Sequence, residues 1–516
     1  MKVEIVKQLE LGGGAPVLIV PVVRDSLEKD PLAARLNRRM GGHLAEAANQ
    51  ENFSGKAGQV ITFNVHGARL PGRICLVGLG EQDSLDCEKF RRAAGRAADV
   101  LRSWSAAKAL LACRIPPRGA GIAAGDVCGA LVEGMTLGLY RFEKYKSADA
   151  ENPSYPGLEE LELFFCDGRG TALRQQSEAL SAVVGRARVV AGGVIAAREL
   201  VNEIPTELTP ERLAEKAAAL AESHEGLSCR VLDEQEMERE KMGASLAVAR
   251  GSANPPRFIE LSWEPSGPVS SAERLVLVGK GVCFDSGGLN IKTGPNMSTM
   301  KMDMSGAAAV IGAIGVIAEL KLPVRVTAVV AAVENMPGGR SYKPDDIVRA
   351  LDGTTIEVGN TDAEGRLTLA DALGWAVGRL EATRIVELAT LTGACVAALG
   401  PTTAGLFGND EAWSSRVMAA AGLSGEKFCR LPLDGDMRED IRSDFADVKN
   451  VGATRWGGAI TAALFLQKFA GDTPWVHLDI AGPAWAEKKR HYQGPGGTGY
   501  GVRLLVRLAE DLAADR

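Results

Sequence analysis

Two stretches of the chain concentrate side chains able to bind metal ions and activate water. Residues 278–304, VGKGVCFDSGGLNIKTGPNMSTMKMDM, hold Lys280, Asp285, Lys292 and Asp303; residues 360–367, NTDAEGRL, hold Asp362, Glu364 and Arg366. Four carboxylates drawn into one pocket raise one another's pKa unless a cation joins them, and two divalent ions clamped by bridging carboxylates resolve that conflict. A lysine next to such ions is driven to lose its proton and ligate through nitrogen; one further away stays charged and polarises a carbonyl, as an arginine can. Spacing leaves open which role falls to Lys280 and which to Lys292, and Arg366 can equally pair with Glu364.

The elements that must position these groups read as alternating strands and helices. LVLVGKG (275–281) ends a strand and puts Lys280 at its tip, with Asp285 in the turn that follows. Ser305 reads as the N-cap of an Ala-rich helix (305–320), which sets Asp303 beside a helix start. Asp362 and Glu364, two apart, point the same way if their stretch is extended, with Arg366 next in the row. Other strand-like runs are PVRVTAVVAAVEN (323–335), TRIVELATLTG (383–393) and TPWVHLDIAG (473–482), with helices over 367–381 and 457–470 between them. Apolar strands alternating with such helices predict a mixed, largely parallel sheet covered by helices on both faces, with ligands outside the carboxyl ends of its strands.

Before residue 170 the texture is also α/β. MKVEIVKQLE, APVLIVPVV (15–23), QVITFNV (59–65), RICLVGLG (73–80) and LEELELFFC (158–166) read as strands, and 88–113 reads as one helix. This region carries no compact set of acids, bases or ligands. The fold class is therefore α/β with two domains: a smaller N-terminal α/β domain (1–173) for scaffold or assembly, a bridging helix (174–200), and a larger C-terminal domain (201–516) holding the chemistry, as 516 residues are too many for one core. A net charge of -6 gives no support to nucleic-acid binding. Nine cysteines without a C-x-x-C pair suit a reducing, cytoplasmic compartment. The first residues lack the apolar core of a secretory signal, and no uninterrupted apolar run reaches membrane-spanning length.

Other chemistries find less support. The histidines, at 43, 66, 224, 477 and 491, form no H-E-x-x-H pair, and His477 reads as a core residue rather than a base. No phosphate-binding G-x-x-x-x-G-K-[ST] loop is present, GPGGTGYG (494–501) suits a packed turn better than a dinucleotide site, Ser286 lacks a nucleophile elbow, and Cys283 has no base partner.

At these residues the sequence resembles the leucyl aminopeptidases, the cytosol aminopeptidase family of two-metal exopeptidases. NTDAEGRL stands intact, and VGKGVCFDSGG (278–288), KMDMSGAAAV (301–310), ENMPGGRSYKPDDIV (334–348), ATLTGA (389–394), SDFADVKN (443–450) and HLDIAGPAW (477–485) are similar to the family's blocks from about 195 to 508. The resemblance implies a metallo-aminopeptidase that releases N-terminal residues, preferably leucine and other apolar ones, from short peptides by attack of a water held between two metal ions (Mn2+ or Zn2+, with Mg2+ or Co2+ as alternatives). It assigns Lys280, Asp285, Asp303, Asp362 and Glu364 to the metals, with Asp285 and Glu364 bridging, Lys292 to the scissile carbonyl, and Arg366 to a bicarbonate ion acting as general base. Met300, Thr390, Leu391, Gly393, Ala481 and Ala484 fall where family members line the pocket or bind the peptide. It further implies a cytoplasmic homohexamer, a dimer of trimers, with no membrane partner. The sequence departs from the family pattern at Glu207, where asparagine is usual, and Ala484 makes for a roomier pocket. The alternatives are a two-metal phosphoesterase, which lacks its customary histidines, and a DNA-binding or scaffold protein.

Overall fold

The computed structural model describes residues 1–11, 17–65, 70–116, 121–147, 155–269 and 272–514. It divides into two compact units, Met1–Ala191 with Lys488–Gly494, and Gly192–Glu487 with Pro495–Arg516. The division thus falls inside the helix Ser177–Asn202, not at its end near 200, and one late segment groups with the first unit.

The first unit is built on β1 (Lys2–Ile5), β2 (Val17–Val23), β3 (Val60–Asn64), β4 (Arg73–Gly80), β5 (Lys108–Arg114) and β6 (Glu160–Cys166), in the order β1-β6-β5-β2-β4-β3. Only β3 runs antiparallel to its neighbour. One sequence expectation fails here. The helix read over 88–113 ends at Ser103, Ser105 turns the chain at φ 47, and KALLACR becomes β5. Its central residues are buried between β2 and β6, so sheet burial overrides the helical preference of Ala and Leu. Residues 15 and 16, and His66, lie outside the described residues.

The second unit is organised by β7 (Leu227–Leu232), β8 (Arg257–Trp263), β9 (Arg274–Gly279), β10 (Gly281–Asp285), β11 (Arg325–Asn335), β12 (Ile347–Arg349), β13 (Thr355–Glu357), β14 (Arg384–Ala389), β15 (Ala404–Gly408), β16 (Phe428–Arg430), β17 (Val448–Lys449) and β18 (Trp475–Asp479). The main sheet runs β16-β15-β18-β14-β9-β11-β8-β7, with β10 also paired to β11; its centre, from β18 to β11, is parallel. Side chains of helices Gly243–Ala249, Gly365–Gly378 and Gly458–Ala470 pack one face, and Ser305–Glu319 covers the other. β12, β13 and β17 form a separate small sheet, so the turn that carries Asp362 follows a strand outside the main sheet. Among the described residues, two helical stretches, Arg174–Asn202 and Gly294–Glu319, have the length and hydropathy to cross a membrane, but 83% of the second one's apolar window is buried inside the fold.

Inside this core lies a paired acid and base. Glu387 on β14 stands opposite His477 on β18, both with no exposed surface, and His477 Nδ1 lies 2.6 Å from Glu387 Oε2. Phe407 and Trp475 stack on the imidazole from 5.8 and 6.2 Å. Burial works against the imidazolium, but Glu387 outweighs it and raises the His477 pKa above 6.5. Burial also raises Glu387 above 4.5, partly offset by His477. Both groups therefore hold a proton more tightly folded than unfolded, and the stability they contribute falls as pH rises, above 4.5 for Glu387 and through the raised value for His477. His477→Ala leaves a buried, unpaired carboxyl group and is expected to cost about 3–5 kcal/mol in urea unfolding. A loss of under about 0.5 kcal/mol, the size of an ordinary surface change, would show the pair to be inert.

Candidate metal centre

Lys280 sits between β9 and β10 with its backbone held at both ends. Its N–H donates to Leu388 O (3.0 Å) and its carbonyl accepts from Ala307 N (2.9 Å), tying it to the end of β14 and the start of helix Ser305–Glu319. The side chain is 3% exposed, and Nζ lies 2.8 Å from Asp303 Oδ2, 2.8 Å from Glu364 Oε1 and 3.1 Å from Thr390 O. The passage for this side chain exists because residue 365 is glycine: a Cβ there would stand 2.3 Å from Lys280 Cε.

Asp285 closes β10. Its Oδ1 accepts from Gly287 N (2.8 Å) and from Asn335 Nδ2 (2.8 Å), while Oδ2 meets Lys292 Nζ at 2.8 Å. Gly287 and Gly288, at φ 86 and 63, turn the chain back so that Lys292 reaches both Asp285 and Asp362, the latter at 2.5 Å. Asp303 lies in a 3-10 turn, Met300–Met304, and Thr390 Oγ1 donates to its Oδ1 at 2.7 Å. Ser305 is not the N-cap expected of it. It is the first residue of the helix, and its hydroxyl donates back to Met302 O.

The 360–364 stretch is not extended either. Asp362 lies in a turn and Glu364, at φ -78 and ψ -37, begins the helix Gly365–Gly378, so the acids converge by turning rather than by alternation along a strand. Asn450 holds this turn: its Oδ1 accepts from Gly359 N (2.7 Å), its Nδ2 donates to Asn360 O (2.8 Å), and its carbonyl accepts from Arg366 Nη1 (2.7 Å). Asn335 Nδ2 and Tyr342 Oη both donate to Thr361 O, at 3.0 and 2.6 Å. Sequence reasoning missed Asn335, Asn450 and Tyr342. The available signal was a polar residue in a fully buried setting, such as Asn335 ending the apolar run of β11.

One carboxylate oxygen from each of Asp285, Asp303 and Glu364 lies within 4.8 Å of the others, and all three residues are buried. Burial raises the pKa of Asp285, with Glu364 adding to it against Lys292 and Lys280; burial dominates for Asp303 and Asp362 too. Lys280 is raised as well, the charges of Asp303, Glu364 and Asp285 overcoming burial, and Lys292 follows the same pattern. Arg366 is pushed down to about 10 by burial, and its Nε has no hydrogen-bond partner among the described residues. Glu364 Oε2 is likewise buried and without one. Four carboxylates against two lysines leave the cluster short of positive charge, and an orphaned carboxylate oxygen beside two acids is a donor set fitted to a hard divalent cation.

Thr390 touches the cluster directly, and Met300 shares the turn of Asp303. Leu391 and Ala481 are half-buried, Gly393 is exposed, and Ala484 is packed at 1% exposure with its carbonyl accepting from Thr498. His477, in the core pair, is not among the groups contacting the cluster. Cys283 is buried, its thiol pushed well above 9.0 by burial, as befits a packed side chain.

A two-domain α/β fold with a buried carboxylate–lysine cluster at strand ends is that of a metal-dependent hydrolase. Residues 195–506 match the cytosol aminopeptidase family's catalytic domain and residues 19–149 its N-terminal domain. A probable cytosol aminopeptidase of Syntrophotalea carbinolica is 45% identical over 93% of this chain and 94% of its own length, and one of Gloeobacter violaceus is 43% identical over 95% and 96%. Among solved structures, a tomato leucine aminopeptidase mutant superposes with a TM-score of 0.86 at 36% identity, covering 99% of this chain and 96% of that one. The bottromycin maturation enzyme BotP in complex with Mn does so with 0.83 at 34% identity, covering 97% and 100%. The chain belongs to the cytosol aminopeptidase family and is a metallo-aminopeptidase, releasing N-terminal residues at a metal-binding active site.

Gly365→Ala tests whether Lys280 must thread the cluster. The added methyl displaces its side chain, and affinity for divalent metal is expected to fall about 10–100-fold with far-UV circular dichroism unchanged. Undiminished metal content at limiting metal would show that the position of Lys280 does not matter.

Proposed function

We propose that this aminopeptidase works with two divalent cations per chain, held by Lys280, Asp285, Asp303, Asp362 and Glu364, with Asp285 and Glu364 shared between them. The observation that carries the reading is the convergence of three buried acids within 4.8 Å, one of them with an unpartnered oxygen. Such ions supply Lewis acidity and bring the pKa of water down to near neutral. The cluster has a closed end and an open one: Lys280, Asp303 and Glu364 side chains are at most 5% exposed, against 16% for Lys292 and 34% for Asp362. Lys292, braced by Asp285 and Asp362, is therefore the ammonium group accessible to a peptide, and it donates to the scissile carbonyl oxygen as negative charge develops there. Arg366 would hold bicarbonate as general base, a role that suits a buried guanidinium whose Nε has no partner among the described residues.

The acid-lined site selects a free N-terminal amine, and Met300, Thr390, Leu391, Gly393, Ala481 and Ala484 favour apolar first residues. Manganese and zinc are the metals to test first; BotP was solved with Mn. The substrates are short peptides and the assembly is a homohexamer, with exposed Phe445 and Trp456 among the apolar side chains that an interface would cover. The relatives' names place them in the cytosol, and the nine free cysteines suit the same reducing compartment.

Protein stripped by chelation and resupplied with manganese or zinc should hydrolyse Leu-Gly and leave N-acetyl-Leu-Gly intact; cleavage of the blocked peptide would contradict amine recognition. Lys292→Ala should lower kcat by about 100-fold or more, the scale of losing one oxyanion donor, while bound metal is retained. Loss of metal in that variant would assign Lys292 to the metals instead.

A further inference from the structure

Asp479, the last residue of β18, has no exposed surface and is not one of the residues proposed as ligands. Its Oδ1 accepts from Leu391 N (3.3 Å) and Ala481 N (3.1 Å), and its Oδ2 accepts from Thr392 Oγ1 (2.7 Å). Thr392 Oγ1 in turn accepts from Cys395 N (3.0 Å), capping the helix Gly393–Leu399. These partners come from two different chain segments. Residues 390–393 follow β14 and residues 480–482 follow β18, neighbouring parallel strands whose last residues, Ala389 and Asp479, are in register. One buried carboxylate thus bonds both segments where they leave the sheet. Charged acceptors make stronger and shorter hydrogen bonds than neutral ones, so such a bridge resists spreading. The charge also acts on Arg366, where it opposes the effect of burial.

We propose that Asp479 is a positioning residue for specificity: its carboxylate clamps the 390–393 segment to the 480–482 segment and so sets the width of the pocket for the first side chain of the peptide. This rests on the reading above, in which Thr390, Leu391, Gly393 and Ala481 belong to the pocket that favours apolar first residues. A clamp on the walls acts on the fit of the first side chain rather than on the scissile bond. Its loss changes preference between first residues while the metals stay bound.

The test compares kcat/KM for leucine and alanine p-nitroanilides, with metal content per chain, in the manganese-loaded full-length enzyme. A well-packed pocket distinguishes side chains differing by a methylene about 10–200-fold. Asp479→Ala is expected to lower the leucine-over-alanine preference about tenfold, chiefly through KM, with metal unchanged. Asp479→Asn keeps an oxygen for the two backbone donors and should recover much of it. Should Asp479→Ala fail to fold, Thr392→Val carries the test, since it removes one arm of the clamp and Thr392→Ser restores it. An unchanged preference, or an equal fall in kcat/KM for both substrates, overturns the proposal while leaving the aminopeptidase reading intact. A wild-type enzyme inert toward both substrates overturns the reading of the site and the proposal with it.

Discussion

Four carboxylates and only two ammonium groups share a largely buried volume at the strand ends of the larger unit, and the rest of the site answers that imbalance. Asp303 and Glu364 meet one lysine, Asp285 and Asp362 the other, and the pKa directions of acids and lysines alike point to a cluster that binds positive charge. Burying like charges is costly, so such a site persists only where backbone and neighbouring dipoles over-determine it. Here the determinants are specific. Lys280 is pinned by main-chain bonds to Leu388 and Ala307, and Asp285 by Gly287 and Asn335.

Those determinants explain why the site sits where the parallel strands end. β9, β14 and β18 deliver Lys280, Thr390 and Asp479 at their carboxyl ends, the usual location of ligand sites in open α/β sheets. Asp362 and Glu364 come instead from a turn beyond the main sheet, held by neutral groups: Asn450, Asn335, Tyr342 and the mutual bonds of Asn290 and Thr361. Neutral dipoles can aim a carboxylate without cancelling the charge that a cation needs.

How much of this could be read in advance follows from what each signal encodes. Charged groups in glycine-rich turns after apolar runs mark Lys280, Asp285, Lys292, Asp303, Asp362 and Glu364, and the structure gathers them into one cluster, Lys280 with Asp303 and Glu364 and Lys292 with Asp285 and Asp362. Local rules failed where tertiary burial decides. KALLACR reads as helix by composition, yet it is β5; Ser305 reads as a cap, yet a 3-10 turn reaches the helix first; Asp362 and Glu364 read as one face of a strand, yet a turn and a helix start bring them together. Asn335, Asn450 and Asp479 stand inside recognisable blocks, but a single polar residue states no role until its partners from distant segments are seen. The same holds for Glu387, whose place opposite His477 depends on the pairing of β14 with β18.

The most direct test of the central claim is anomalous scattering from crystals soaked in manganese. The account predicts two peaks per chain, both among Lys280, Asp285, Asp303, Asp362 and Glu364, with Asp285 and Glu364 adjoining both. A single peak, or metal bound away from Glu364, would contradict it.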